Sequence, residues 1–289
     1  IVSYFEKTGD PMKNFHKKTA LEAEWARLQR REERFLKKIA MEKESVLNRR
    51  LEHLVPPKLS STLDTAFYKA FEVVFEKGTP IIEKTYRKED RETAYKVSAY
   101  AVSLKESRRN LKAFSKRAQN SRAVNLLASG ASGIGLGALG IGLPDIPLFT
   151  GMLLKSIYEI ALNYGFSYDT VREQCFILKL IRVPLLPGEM AVRADGEVNQ
   201  LIAENHGGDG SIRMTGEAET SIHEKKAQMR LTAQALSHQL LYMKFLQGIP
   251  IAGIVGGAFD AVYLKKITDY ADLKYRRRFL LGRGPQNEG

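Results

Sequence analysis

The sequence predicts an all-α protein made of several helices. Apolar residues recur every three or four positions over long stretches, which is the spacing of one face of an α-helix. Proline or glycine follows several of these stretches and ends them. No sustained run alternates apolar and polar residues between hairpin turns, as a half-exposed β-strand does.

The first predicted helix is long and highly charged. It begins near Thr19 and ends before Pro56 and Pro57, because proline cannot continue the hydrogen bonds of a helix. Its apolar residues form one stripe, and the charged remainder is expected to face solvent. The stripe consists of Leu21, Trp25, Leu28, Phe35, Ile39 and Val46.

Two positions on this stripe are charged, Glu32 and Lys43, which disfavours a coiled-coil partner. We therefore divide the chain into two parts. Residues 1–58 comprise a tail and the charged helix, and residues 59–283 comprise a multi-helical domain. Because 44% of the residues are apolar, the chain has enough material for a folded core.

Capping residues predict the helix boundaries of the next part. Ser60 or Ser61 is expected to cap a helix with a strong apolar face, and Gly78 to end it. Pro80 suits the first turn of the following helix. A more polar helix is then expected from about Asp90 into a basic run.

Two apolar segments rich in glycine stand out in the chain. Residues 123–143 carry no charge, and residues 248–260 form a shorter segment of the same kind. We interpret both as hairpins, because glycines spaced four apart let helices approach closely. The spaced glycines are Gly133, Gly137, Gly253 and Gly257.

Two further helices are predicted after the first of these hairpins. An apolar helix runs from Leu148 to Tyr164 and is ended by Gly165, and Thr170 with Glu173 has the spacing of a capping box for the next helix.

A change of composition follows these helices. Residues 185–218 are rich in glycine and poor in large apolar residues, so we predict a flexible loop there. Helix is expected to resume from about Ser221 to Phe245.

The positive charge of the chain is concentrated beside the two hairpins. Lysine and arginine number 45 against 33 acidic residues, a formal net charge of +12. Such a charge favours an anionic membrane surface, a nucleic acid or an acidic protein as partner. The two basic clusters include Arg108, Arg109, Lys112, Lys116 and Arg117, and later Lys265, Lys266, Arg276, Arg277 and Arg278.

Motifs for cofactors and metals are weak in this sequence. The single cysteine, Cys175, excludes an internal disulfide and a cysteine-built zinc site. Residues 135–140 fit G-x-G-x-x-G, but prolines follow at once where a nucleotide-binding helix is needed. The histidines are scattered along the chain. We expect no metal and no cofactor.

Acidic residues near the hairpins are the candidates for catalysis. Asp145, Glu159 and Asp260 lie in apolar surroundings, and they would line a carboxylate pocket if the hairpins meet. The alternative is structural: Asp145 stabilises a helix N-terminus, and Asp260 pairs with Lys265 or another base. Both interpretations remain open at the level of sequence.

Two stretches resemble the EcsC family. They are G-L-P-D-I-P-L-F-T-G-M-L-L-K-S-I-Y-E-I-A-L-N-Y-G-F at residues 142–166 and G-I-P-I-A-G-I-V-G-G-A-F-D-A-V-Y-L at residues 248–264. The likeness extends from about Ala66 to Arg283. It implies a bacterial, mostly helical protein associated with the membrane or with an ABC-type exporter, and it supplies no catalytic residues.

We therefore expect a non-catalytic accessory protein that lies in the cytoplasm at the inner face of the cell membrane. It would bind anionic lipid or a membrane transporter through the glycine-rich hairpins and the basic clusters. Nucleic acid is a weaker partner, because no helix-turn-helix or RNA-binding strand adjoins the clusters. The alternatives are a soluble hydrolase-like enzyme using the three carboxylates, and a cytosolic scaffold using the N-terminal helix.

Overall fold

The computed structural model describes residues 19–41, 57–114, 145–205, 218–246 and 258–283, except positions 85, 106, 108 and 113. For residues 145, 218–221, 241–246 and 258–261 only the backbone is described. Within these ranges every regular element is helical, so the predicted all-α fold is confirmed.

The chain order of the elements fixes the labels used below. A π-helical turn, Val74–Gly78, joins α2 to α3, and a 3-10 turn, Val183–Leu185, follows α6. The helices are α1 (Ala20–Met41), α2 (Pro57–Val73), α3 (Thr79–Glu83), α4 (Lys88–Leu104), α5 (Asp145–Asn163), α6 (Val171–Arg182), α7 (Gly188–Glu204), α8 (Ala218–Leu246) and α9 (Ala258–Leu281).

Capping hydrogen bonds confirm two predicted helix starts. The Thr19 hydroxyl accepts a hydrogen bond from the Glu22 amide at 3.1 Å, and the Glu22 carboxylate accepts one from the Thr19 amide at 2.8 Å. At α6 the Thr170 hydroxyl accepts from the Glu173 amide at 3.2 Å. These side chains satisfy amide groups that have no partner inside the helix.

Two predicted boundaries in the α2 region are wrong. Helix α2 begins at Pro57 rather than at Ser60 or Ser61, because proline fits a first helical turn, where its missing amide leaves no bond unmade. Gly78 does not end the helix, since its backbone stays right-handed and the π-helical turn leads directly into α3.

The core is built around α5, α6 and α9. Helix α9 packs against α1, α5, α6 and α7, while α8 packs against α2 and α6. Helix α4 lies against α5. One continuous cluster of buried apolar and aromatic side chains joins these helices, so α1 shares the core of the rest of the described chain.

Part of the predicted loop at 185–218 is wrong. Residues 188–204 form α7, and residues 206–217 lie outside the described residues. The buried side of α7 consists of small or β-branched residues at helical spacing, including Ala191, Ala194 and Val198. Gly196 sits on the exposed side, where a glycine leaves no gap in the core. The glycine-rich composition of this region therefore led to a wrong prediction of loop where α7 lies.

Gly165 ends α5 as predicted and brings α4 into close contact with it. Its φ of 84° is favourable for glycine and strained for other residues. A Cβ atom here would lie 2.2 Å from the ring of Tyr95, which sits on α4. The aromatic ring therefore rests directly on the backbone of the turn, and glycine is required for both reasons.

Replacing Gly165 with alanine is expected to destabilise the fold. The left-handed backbone alone costs about 1–3 kcal/mol for a residue with a Cβ, and the collision with Tyr95 adds to it. Urea denaturation of Gly165→Ala measures the loss.

The matched control is Gly196→Ala, because Gly196 is helical and no other group lies within 4 Å of the point that an alanine Cβ would occupy. This variant should gain about 0.5–1 kcal/mol from helix propensity. Equal stability of the two variants would contradict the proposed role of Gly165.

Candidate functional site

The basic run at the C-terminal end of α9 points into the protein. The exposed fractions of Lys274, Arg276 and Arg278 are 0%, 5% and 6%. Buried charges are costly unless each is paired and hydrogen-bonded. The partners are carboxylates on α1, α6 and α7, so this part of α9 forms a buried ionic network.

Lys274 lies at the centre of this network. Its Nζ atom is 2.6 Å from the Asp195 carboxylate of α7 and 3.0 Å from the Glu32 carboxylate of α1. It also donates to the Asn199 side-chain oxygen at 2.8 Å. The Tyr270 hydroxyl donates to Asp195 at 2.8 Å. One lysine therefore joins α1, α7 and α9.

The arginines beside Lys274 bind the inward carboxylates of α1. Arg276 forms an ion pair with buried Glu24. Arg277 donates to Glu32 from two nitrogens, each 3.1 Å from a carboxylate oxygen. Its guanidinium also lies 5.1 Å from the centre of the Trp25 ring. The charged positions Glu24 and Glu32 are therefore the docking contacts of α1.

Arg278 makes the equivalent contact with α6. It binds both oxygens of Glu173, at 2.7 and 3.2 Å, and the Tyr275 hydroxyl donates to the same carboxylate at 2.7 Å. The rings of Phe166 and Phe176 lie 4.0 and 4.7 Å from the guanidinium. A bidentate pair enclosed by aromatic rings fixes the orientation of α9 on α6.

The tyrosines of the network act as hydrogen-bond donors. Burial raises the pKa of Tyr270 and Tyr275 well above the ordinary value, and the carboxylates of Asp195 and Glu173 raise it further. Both hydroxyls therefore stay protonated at neutral pH and donate to those carboxylates. This chemistry suits the fixing of helices and does not activate a nucleophile.

The predicted lipid contacts at Arg276, Arg277 and Arg278 need correction. These side chains are buried or nearly so and are bound to carboxylates, because α1 and α6 cover this side of α9. A lipid headgroup would have to displace Glu24 or Glu173 to reach Arg276 or Arg278. They are core residues in this fold.

The other predicted lipid contacts have mixed positions. Arg109 and Lys112 are exposed. Lys265 is exposed and lies 2.7 Å from Asp269, while Lys266 is half-buried. Outside the described residues lie Arg108, Lys116, Arg117 and the hairpin glycines Gly133, Gly137, Gly253 and Gly257.

The predicted carboxylate pocket stays a prediction. Asp145 is the first residue of α5, but its side chain and that of Asp260 lie outside the described residues. Glu159 is buried on α5 and lies 3.0 Å from Arg91 of α4. Burial raises the pKa of Glu159, and the cations Arg91 and Lys155 oppose that shift. Glu159 thus forms half of an ion pair between two helices.

A tyrosine cluster that was not predicted from sequence lies beside this ion pair. The Tyr168 hydroxyl donates to Glu83 at 2.6 Å and lies 2.7 Å from the Tyr86 hydroxyl. Lys88 binds Glu83 at 3.1 Å and sits above the Tyr168 ring. Burial raises the pKa of both tyrosines, so they remain donors. The cluster ties the α3–α4 connection to the turn after α5.

Helix α4 presents its apolar side to the surface. Val97, Tyr100 and Leu104 are 59%, 65% and 69% exposed, and their spacing places them on one face. The side toward α5 instead carries charged Arg91 with half-buried Tyr95. Val102 is also buried and Tyr95 packs against the core, so α4 places apolar side chains on both sides and exposes three large ones.

Exposed cations border this apolar stripe. Lys96 lies beside it on α4, Lys105 follows the last residue of α4, and Arg109 and Lys112 come soon after in the chain. We call Val97, Tyr100 and Leu104 with these four cations the outer face of α4. The spacing of its apolar residues was visible in the sequence, but only the packing shows which side of the helix faces out.

A comparison with protein families assigns the chain to one of them. The model of the EcsC protein family matches residues 22–280, nearly the whole chain. The chain belongs to the EcsC family. Neither a curated protein nor a solved structure matches it.

The EcsC match begins inside α1, earlier than the expected start near Ala66. This agrees with the ion pairs that join α1 to α9. In the described part of this EcsC-family chain, no helix has the length and apolar character needed to cross a membrane. The same residues contain no cluster of three His, Cys, Asp or Glu side chains suited to a metal ion.

Removing the central lysine of the network is expected to destabilise the protein strongly. Lys274→Met leaves the Asp195 and Glu32 carboxylates without their shared cation, and breaking a buried pair costs about 3–5 kcal/mol. Chemical denaturation measures the change.

Lys265→Met is the control on the same helix, because the pair of Lys265 with Asp269 is exposed and contributes at most about 1 kcal/mol. Similar losses for both variants would show that the buried network is not the stronger constraint.

Glu159 is expected to make stability fall as pH rises. Its pKa is raised in the folded state, so its unfavourable contribution is absent below the ordinary value of 4.5 and increases as pH rises through the folded value. Glu159→Gln removes this contribution, so the free energy of unfolding at about pH 7 minus that at about pH 4 should be more positive in the variant than in the wild type, as measured by urea denaturation.

Glu197→Gln changes an exposed carboxylate on α7 and serves as the control. It should follow the wild type at both pH values. If Glu159→Gln also follows the wild type, the pairing with Arg91 outweighs the burial of the carboxylate.

Proposed function

We propose that this EcsC-family chain is a membrane-associated accessory protein without catalytic activity. It binds the anionic, cytoplasmic surface of a bilayer through the outer face of α4. The exposed stripe of α4 supports the proposal most directly: the helix buries an ion pair and exposes three large apolar side chains, Val97, Tyr100 and Leu104. A contiguous apolar surface bordered by polar residues is typical of an interaction site.

The apolar side chains and the cations of this face suit the acyl chains and the anionic headgroups of a membrane surface. Val97, Tyr100 and Leu104 would enter the boundary of the acyl chains, where burying a large apolar side chain contributes about 1.5–3 kcal/mol. Tyrosine favours this boundary because its ring is apolar and its hydroxyl polar. The bordering cations would meet anionic headgroups, at about 1 kcal/mol each.

The charge pattern favours lipid over a groove on another protein. Lys96 lies beside the stripe, exposed Lys105, Arg109 and Lys112 follow it in the chain, and the sequence continues through more basic residues into the uncharged segment 123–143. A helix lying in the interface has this composition. We do not propose the hydrolase, because Glu159 is bound to Arg91.

Vesicle flotation tests the proposal. The wild type should float with vesicles containing phosphatidylglycerol and bind more weakly to pure phosphatidylcholine. The triple variant V97S/Y100S/L104S removes the apolar stripe and keeps every cation. It should bind about tenfold or more weakly to the anionic vesicles, since it loses several buried side chains.

The control M190S/V192S/I222S removes three exposed apolar side chains from α7 and α8. It should bind like the wild type. Thermal melting checks that both variants fold. Wild-type affinity in the α4 variant, or no flotation of the wild type with either vesicle, would refute the proposal; binding only to membranes that contain transporters would favour a protein partner.

A further inference from the structure

Helix α1 separates its charges between two sides. Among its carboxylates, Glu22 binds the Thr19 amide, while Glu24 and Glu32 face inward and bind cations of α9. Glu33 is exposed. The inward carboxylates are thus neutralised by α9 and cannot balance the cations on the opposite side of α1.

The side of α1 that faces away from α9 is strongly basic. Its exposed cations are Arg30, Arg34, Lys37 and Lys38, which we call the outer face of α1. At about 100° per residue they fall within one arc of about 100°, and the helix rise places them within about 12 Å along the axis. Glu33 lies at the edge of this arc. The surface is almost wholly cationic.

This surface differs from the outer face of α4. No large apolar side chain lies between these four cations, and exposed Met41 follows them at the end of α1, so contact with a partner would be mainly electrostatic. Cations clustered this closely attract an anionic bilayer, and each strengthens binding by about fivefold. The fold increases the asymmetry, because α1 carries six bases and four acids and two of the acids face inward.

Helix α9 and the turn after it contact α1 and α4 on the sides opposite their outer faces. Arg276 binds Glu24 near the start of α1, and Arg283, just after α9, donates to the Ala99 carbonyl of α4 at 3.4 Å. Seven residues separate the two arginines, which corresponds to about 10 Å along a helix. The start of α1 and the middle of α4 are therefore neighbours along the C-terminal end of α9.

We infer that the outer face of α1 is a second contact with the anionic bilayer. This inference depends on the proposed function and adds to it: α4 supplies apolar insertion, and α1 supplies selectivity for negatively charged headgroups. A nucleic acid also presents phosphates to a basic helix. Lipid is favoured because the apolar stripe of neighbouring α4 can insert into a membrane, whereas a phosphate backbone offers it no apolar contact.

The test is vesicle binding by the full chain at increasing phosphatidylglycerol content and NaCl concentration. The variant R30Q/R34Q/K37Q/K38Q should bind about tenfold or more weakly to anionic vesicles at low salt. Its affinity should also depend less on salt than that of the wild type, because fewer charges are screened.

Two controls separate the position of the charges from their number and from folding. K69Q/K77Q/R193Q/K226Q removes four exposed cations from other helices and should bind more tightly than the α1 variant. R30K/R34K/K37R/K38R keeps the charge and should bind like the wild type. Thermal melting should show all three variants folded.

The outcomes distinguish this inference from the proposed function. If the α1 variant binds like the wild type while V97S/Y100S/L104S does not, the α1 contact is refuted and the α4 contact stands. If the α1 substitutions abolish binding to a random DNA duplex and leave vesicle binding unchanged, the surface recognises nucleic acid. If the wild type binds no vesicles, both are refuted.

Discussion

Burial of the α9 cations is the constraint on which the described fold depends. Carboxylates from α1, α6 and α7 must each meet a particular cation, so only one placement of these helices around α9 satisfies every pair. Buried ion pairs add little stability over apolar packing, yet breaking one is costly. Their main effect here is therefore to select one arrangement among the many that an apolar core would permit.

This constraint also determines what the surface can do. The basic run of α9 is largely buried inside the protein. Arg276 and Arg277 bind Glu24 and Glu32, which would otherwise offset the positive charges of α1. The exposed side of α1 therefore carries a net positive charge. Helix α4 likewise buries a cation and exposes apolar side chains, because its ion pair with Glu159 lies inside and Leu104 lies outside. Both exposed faces follow from how charge is paired internally.

Local signals in the sequence predicted local structure well. The helix start near Thr19, the Thr170 cap, the turn at Gly165 and the all-α class depend on residues a few positions apart, and each is confirmed. The functional residues depended on distant partners. The sequence predicts Arg276 as a surface cation, because its partner Glu24 is distant along the chain. Helix α7 was not predicted, because small residues make up much of its buried side.

The order in which the chain is made bears on the pairing of α1 with α9. Glu24 and Arg276 are 252 residues apart, and Glu32 and Lys274 are 242 residues apart. Contacts between such distant positions form late, since the intervening chain must first be brought together. Helix α1 is the first of the described helices to leave the ribosome and must wait for the last one to be synthesised. Until α9 has left the ribosome, its two inward carboxylates remain in water without the α9 cations that will hold them.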